Sequence, residues 1–379
     1  MSVKHVRAAA VIGAAALALA GCSGGGDSEG VTLSIALPTT GGSAVLGEPM
    51  KHGIEMAVEE INAAGGIDGN QIKINSVDLG ADDTDALNAF NRAVSDKPTA
   101  VIGFPVSTQG FAVTTQVDRS GIPVIMSGTN PKLAKSSEWV FNMTSSDEIT
   151  TRAAAEFAAK SLGVRKVALL RESGELGSGA SQMLTAAAKD LGFEIVTEQI
   201  FQTGDVDLST QANAIRGAGA DMLFTYGQQA DYIVVANALA TAGVKLPTFI
   251  AGLQPGTYKQ LNYDGFATIY NRNQCIPSAA KDGDALATWS ASYKEKYSTD
   301  PTEYAAIAYD GVHLVADAIT AAGSTDPSDV AAALSALPES QGVCGVHKGS
   351  ETGALSFGVT IGHYDNGAYV VDQQLSLVP

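Results

Sequence analysis

Two short stretches, Pro105-Val106-Ser107-Thr108-Gln109 and Ser127-Gly128-Thr129-Asn130-Pro131, are rich in hydroxyls and carry no charge. Hydroxyl donors, together with the unpaired backbone N–H groups of a helix start, can hold a carboxylate without a full cationic partner. Ser and Thr also favour helix caps in their own right, so either loop alone reads as a cap. Two of them at neighbouring strand ends favour a shared anion site. Other chemistry is thinly represented. Gly174, Gly177 and Gly179 open a helix, but their spacing is G-x-x-G-x-G and Glu175 would crowd a pyrophosphate, so the dinucleotide fingerprint is incomplete. His5, His52, His313, His347 and His363 show no ligand spacing, and Asp82, Asp83 and Asp85 stand where acids suit a helix dipole better than calcium. With no P-loop, HExxH or GxSxG, neither catalysis nor a metal or other cofactor is expected.

The elements that must position these loops alternate in type. Apolar β-like runs at 31–37, 71–77, 99–104 and 122–128 are separated by helical periodicity at 48–66, 85–96 and 109–121. After a boundary near Phe141 to Asp147 the rhythm restarts: helix 148–162, strand 165–171, helix 177–191, strand 193–201, helix 207–218, strand 221–227, helix 228–242 and strand 247–252. Helices near 283–297, 303–322 and 328–336 follow, then a hairpin about Asp365-Asn366-Gly367. Two successive strand–helix runs predict an α/β chain of two doubly wound lobes with parallel sheets. Such sheets bind ligands beyond the carboxyl ends of their strands, which is where both hydroxyl loops fall.

The chain opens with Lys4, His5 and Arg7 before an almost wholly apolar run at 8–20, a secretory signal layout too short to span a bilayer comfortably. Leu19-Ala20-Gly21-Cys22 resembles the bacterial lipobox, which implies removal of residues 1–21, lipidation at Cys22 and a flexible tether over 22–30; an ordinary cleaved signal with an incidental cysteine is the alternative. The formal net charge is −17, and losing Lys4 and Arg7 takes it to −19. So acidic a chain is repelled by nucleic acid and anionic membrane surfaces. The two other cysteines, Cys275 and Cys344, are expected to form one disulfide in an exported chain, the alternative being two buried thiols.

These features together with "GIEMAVEEINAAGGIDGNQIKI" (53–74), "AVIGF" followed by "STQ", and "GIPVIMSGTNP" (121–131) resemble the leucine/isoleucine/valine-binding protein family, the type I periplasmic solute receptors of ABC importers. The resemblance covers essentially all of the chain after the signal. It implies two Rossmann-like lobes joined by a three-crossover hinge near 144–147, 271–275 and 354–357, with one lobe at 31–144 plus 275–355 and the other at 145–274 plus 356–379. It implies a small-molecule ligand enclosed on closure, and permease and ATPase subunits as partners. A ligand carboxylate would be held by Ser107 or Thr108 and by Ser127, Gly128 and Thr129. Where the family commonly presents aromatics, this chain offers Leu46 and Leu176, and where the family has an acid for the ligand's ammonium group it offers Leu253-Gln254-Pro255. Tyr226, Gln228 and Gln229 are candidates for the second-lobe wall, and Asp231, Glu172 and Glu175 for a displaced acid. A buried ammonium needs a carboxylate, so the substitution at Gln254 points to an amphipathic carboxylate, either a branched-chain amino acid or a related acid without an amine. Capture for import is the leading reading, a receptor that signals to a partner protein is the second, and a hydrolase or dehydrogenase on the same lobes is the third.

Overall fold

The computed structural model describes residues 30–40 and 43–376. Cys22, the signal-like start and residues 23–29 lie outside them. Among the described residues no helix is long and apolar enough to cross a membrane.

The first run of elements is β1 (Thr32–Leu37), α1 (Ala44–Ala63), β2 (Lys73–Asp78), α2 (Asp83–Ala93), β3 (Ala100–Gly103), α3 (Ser107–Ser120), β4 (Val124–Met126) and β5 (Val140–Asn142). Its strands form a sheet in the order β2-β1-β3-β4-β5, parallel throughout. The second run is α4 (Asp147–Glu156), β6 (Lys166–Glu172), α5 (Glu175–Leu191), β7 (Glu194–Phe201), α6 (Ser209–Gly217), β8 (Met222–Tyr226), α7 (Gln229–Ala242), β9 (Leu246–Ala251), α8 (Pro255–Tyr258) and β10 (Phe266–Asn273). Then come α9 (Ala285–Tyr297), α10 (Glu303–Ala322), α11 (Pro327–Ala336), the small pair β11 (Ser340–Gly342) and β12 (Gly345–His347), and the hairpin β13 (Gly358–Asp365) and β14 (Ala368–Ser376). The second sheet runs β14-β13-β10-β9-β8-β6-β7, with the hairpin antiparallel and the rest parallel. The molecule is an α/β protein of two Rossmann-like lobes.

Core packing follows the chain. Residues from Val31 to Met143 and from Cys275 to Leu355 bury their apolar side chains on the first sheet, whereas Ala153 to Ile269, joined by Val359 and Ile361, do so on the second. One face of the first sheet is covered by α1 and α10, which meet so closely that a Cβ on Gly53 would lie 2.0 Å from the Ala305 carbonyl oxygen. The Asn62-Ala63-Ala64-Gly65-Gly66 stretch turns α1 toward β2: the Asn62 side chain accepts from the Ile72 N–H at 2.7 Å and donates to its carbonyl at 3.0 Å. Gly66, at φ 81°, lies where a Cβ would strike the Asn70 carbonyl. That is a backbone reason for this motif.

Strands β5 and β10 and the β11–β12 pair go beyond what the sequence pattern predicts. Three residues are too few for β5 to show a period, and β10 ends in the polar Asn271-Arg272-Asn273, buried by its neighbours. The chain passes between the lobes after β5, after β10 and before β13. Gln274 binds these passages together: its Oε1 accepts from the Ser145 N–H at 2.9 Å, and its Nε2 donates to Ser356 Oγ at 2.6 Å and to the Cys344 carbonyl at 3.1 Å. Cys275, the next residue, is joined to Cys344 by a disulfide.

Candidate functional site

A cleft of about 400 Å³ lies between the lobes at the carboxyl ends of both sets of parallel strands. From the first lobe it is lined by Leu46 at the start of α1, Pro105 and Val106 between β3 and α3, Ser107 and Thr108 at the start of α3, Thr129 and Asn130 after β4, and Glu303 and Tyr304 at the start of α10. The second lobe contributes Asp147, Glu175, Leu176, Gln228, Gln229, Tyr232, Arg272 and Asn273, among others.

Both hydroxyl loops take part, though not as caps. Ser107 is the first residue of α3 and makes no cap bond; its Oγ accepts from the Asn130 N–H at 3.2 Å and so ties one loop to the other. Its own proton, like that of the exposed Thr108, is not engaged by another group, and both residues line the cleft at the start of α3, where the first N–H groups have no intrahelical partner. Thr129 differs, since its hydroxyl donates to Asp147 Oδ2 at 2.8 Å. A hydroxyl has one proton, and this one is already engaged.

Six of the ten candidate ligand residues line the cleft: Leu46, Ser107, Thr108, Thr129, Leu176 and Gln229. The other four do not. Ser127 is fully buried with its Oγ against Met50 Sδ at 3.8 Å, and Gly128 sits under Ser107, whose Oγ a Cβ would meet at 2.7 Å. Both positions directly follow β4 and stay buried, before the loop emerges at Thr129. Tyr226 is also buried, its hydroxyl 3.1 Å from Thr151 Oγ1 and its ring 5.7 Å beneath the Arg272 guanidinium. Gln254 acts on the loop after β9, donating from Nε2 to the Gly252 carbonyl at 3.2 Å, while its N–H donates to Gln229 Oε1 at 3.1 Å.

Two of the candidate acids are consumed by the fold. Glu172 receives the N–H groups of Gly174 and Gly177 at the start of α5, so the anion on this glycine-rich turn is the chain's own carboxylate rather than a pyrophosphate. Asp231 accepts from the Gln228 N–H at 2.8 Å and from the Gly204 N–H at 3.1 Å. Asp82 caps α2 by accepting from the Asp85 N–H at 2.9 Å.

Of the charges that face the cleft, Glu175 was among the candidate acids, whereas Arg272, Asp147 and Glu303 were not singled out in the sequence. Arg272, at the end of β10, places Nη2 3.3 Å from Asp147 Oδ1 and 3.4 Å from Thr151 Oγ1, with both ionic partners more than nine-tenths buried. Burial works against its charge, but Tyr226 and Asp147 outweigh it and hold the guanidinium protonated. Glu303 is pushed up to about 7 by burial, against the pull of Asn273, Arg272, the Gln274 N–H and Gln254. Its Oε2 is sealed from solvent and has no hydrogen-bond partner. An arginine and a glutamate next to unremarkable sequence leave no motif; only β10 as a strand ending at the cleft would have drawn attention to Arg272.

Comparison with known proteins fits this geometry. The family model described as "Periplasmic binding protein" matches residues 30–368. A Leu/Ile/Val-binding protein homolog 3 of Brucella melitensis is 28% identical over 336 residues, covering 86% of this chain and 89% of the relative. The fold is shared with the branched-chain amino acid transporter substrate-binding protein LivJ of Streptococcus pneumoniae in complex with isoleucine, at TM-score 0.80 and 23% identity, covering 93% of this chain and 100% of that one. It is shared equally with a solute-binding protein of an ABC transporter from Rhodopseudomonas palustris in complex with 3,4-dihydroxybenzoic acid, at TM-score 0.79 and 18% identity, covering 92% and 98%. With nearly its whole described length matched, and with two α/β lobes around a cleft, the chain belongs to the periplasmic binding protein family and stands within it beside the leucine/isoleucine/valine-binding proteins.

Proposed function

We propose that the protein is the extracytoplasmic, lipid-anchored receptor of an ABC importer and that it captures a small amphipathic carboxylate between its lobes for delivery to permease and ATPase subunits. The observation that carries this reading is the cleft itself: free hydroxyl protons on Ser107 and Thr108 at the start of α3, and apolar Leu46 and Leu176 from opposite lobes. Ligands in two proteins of the same fold, isoleucine and 3,4-dihydroxybenzoic acid, share a carboxylate and an apolar body. Contacts made from both lobes favour the closed arrangement, and ligand binding shifts the equilibrium toward it. Capture, rather than catalysis, is the work of such a site.

A thermal-shift panel of branched-chain amino acids, their deaminated acids, aromatic acids, small amides and sugars tests this reading. A true ligand at 100 times its dissociation constant is expected to add about 2.7 kcal/mol to stability. Thr108→Val is expected to weaken binding of that ligand by about 1–3 kcal/mol, since the hydroxyl meets a charged acceptor. Stabilisation by amides or sugars alone would put the carboxylate reading aside. For the anchor, Cys22→Ser is expected to move the protein from the membrane fraction to the soluble one; retention in the membrane would remove lipidation from the proposal.

A further inference from the structure

A second cavity, of about 420 Å³, lies on the other side of the connecting segments from the solute cleft. The strand order of the second sheet fixes that placement. The cleft meets Ala251, Gly227 and Glu175, at or just beyond the ends of β9, β8 and β6, all to one side of β10. The rear cavity meets Gly358 and Thr360 of β13 and Val371 and Leu375 of β14, on the opposite side of β10. Its facing wall belongs to the first lobe: Ala280 before α9, Leu286 in α9 and Val346 in β12. Gln274, which follows β10 and holds Ser145 and Ser356, is the one described residue that lines both cavities. Apolar side chains and neutral polar groups make up the rear walls, with Asp284 as their only charge.

A hinge rotation that brings the cleft walls together on one side of Gln274 moves the rear walls apart on the other. The rear space is therefore wider when the cleft is closed and narrower when it stands open. On the reading that the cleft captures its solute by closure, we infer that the rear cavity sets the affinity of the cleft, with Ala280 and Val371 as positioning residues on its two walls. Bulk added to either wall resists the open arrangement, which drives those walls together, and leaves the closed one undisturbed. Apparent affinity is the intrinsic affinity of the closed form scaled by the fraction of free molecules already closed. Short side chains behind the connections keep the free receptor open, and so hold its affinity below the limit that the cleft contacts allow.

Ala280→Trp and Val371→Trp, made separately in the full chain and checked by thermal melting, test the assignment. Ala280 has extended backbone at φ −64° and ψ 138°, and Val371 lies on an edge strand, where aromatic residues are at home, so both positions accept the larger side chain. The control is Val370→Trp: Val370, next to Val371 on β14, is 40% exposed and lies outside the cavity lining. Small-angle X-ray scattering without solute is expected to show both cavity variants more compact than the parent and the control unchanged. Isothermal titration with leucine, 4-methylpentanoate and 3,4-dihydroxybenzoate is expected to show every solute that the parent binds held about tenfold more tightly by both variants. The factor should be the same for each solute, because closure has changed and no contact has. Affinity unchanged or weakened in folded variants, a factor that differs between solutes, an equal gain in the control, or scattering like the parent's would overturn the assignment while leaving capture in place. If none of the three solutes binds the parent, the carboxylate reading falls, and the scattering comparison still decides whether the rear cavity governs closure.

Discussion

Arg272→Met is expected to lower folding stability by about 3–5 kcal/mol, the cost of leaving one member of a buried ion pair without the other. The methionine fills the volume of the arginine stem, so the loss is electrostatic rather than a cavity. Asp147 would keep the Thr129 hydroxyl on Oδ2 and lose the guanidinium on Oδ1, where it is largely shielded from solvent. Tyr226 would lose the cation lying over its ring. Adding Asp147→Asn to the same chain removes the orphaned charge, so the double variant should recover most of the loss in urea unfolding, and the coupling gives the strength of the pair directly. A single variant within about 1 kcal/mol of the parent would mean that the cleft is wet enough to solvate Asp147 unaided.

Replacing Cys275 and Cys344 with serine is expected to cost about 4 kcal/mol, because the bond closes a loop with a sequence separation of 69 that includes α9, α10 and α11. For a lobe of this size that is a fall in melting temperature on the order of 10 °C. Substitution is a better probe than reductant, since both cysteines are buried. Asp310 competes with the covalent bond as an anchor for the same segment: its carboxylate accepts the N–H groups of Val343 and Cys344 at 2.9 and 2.7 Å and lies 3.0 Å from His347 Nε2. An unchanged melting temperature would show that Asp310 alone suffices to hold the β11–β12 pair.

The alternation of strands and helices was legible because each long element carries its own period; the reading of α10 as 303–322 coincides with the structure. Elements whose existence depends on partners were not. β5 has three residues, and β10 has a polar end that only tertiary packing buries. At the site, a loop's composition revealed Ser107, Thr108 and Thr129 but could not say which hydroxyl is turned inward, so Ser127 looked equivalent to them. Nor could spacing bring Glu303 near Gln254, which lies 49 positions earlier and on the other lobe. Charges that meet only across a cleft leave no local pattern.

One side chain has a mechanical consequence. Gln274 holds Ser145, Cys344 and Ser356, while Ser145 Oγ donates to the Gly358 carbonyl at 2.8 Å, so the three connecting segments are pinned to one another at a single buried point. Bending at one connection therefore strains the bonds that hold the other two, so the three are expected to flex together when a solute draws the walls of the cleft toward one another.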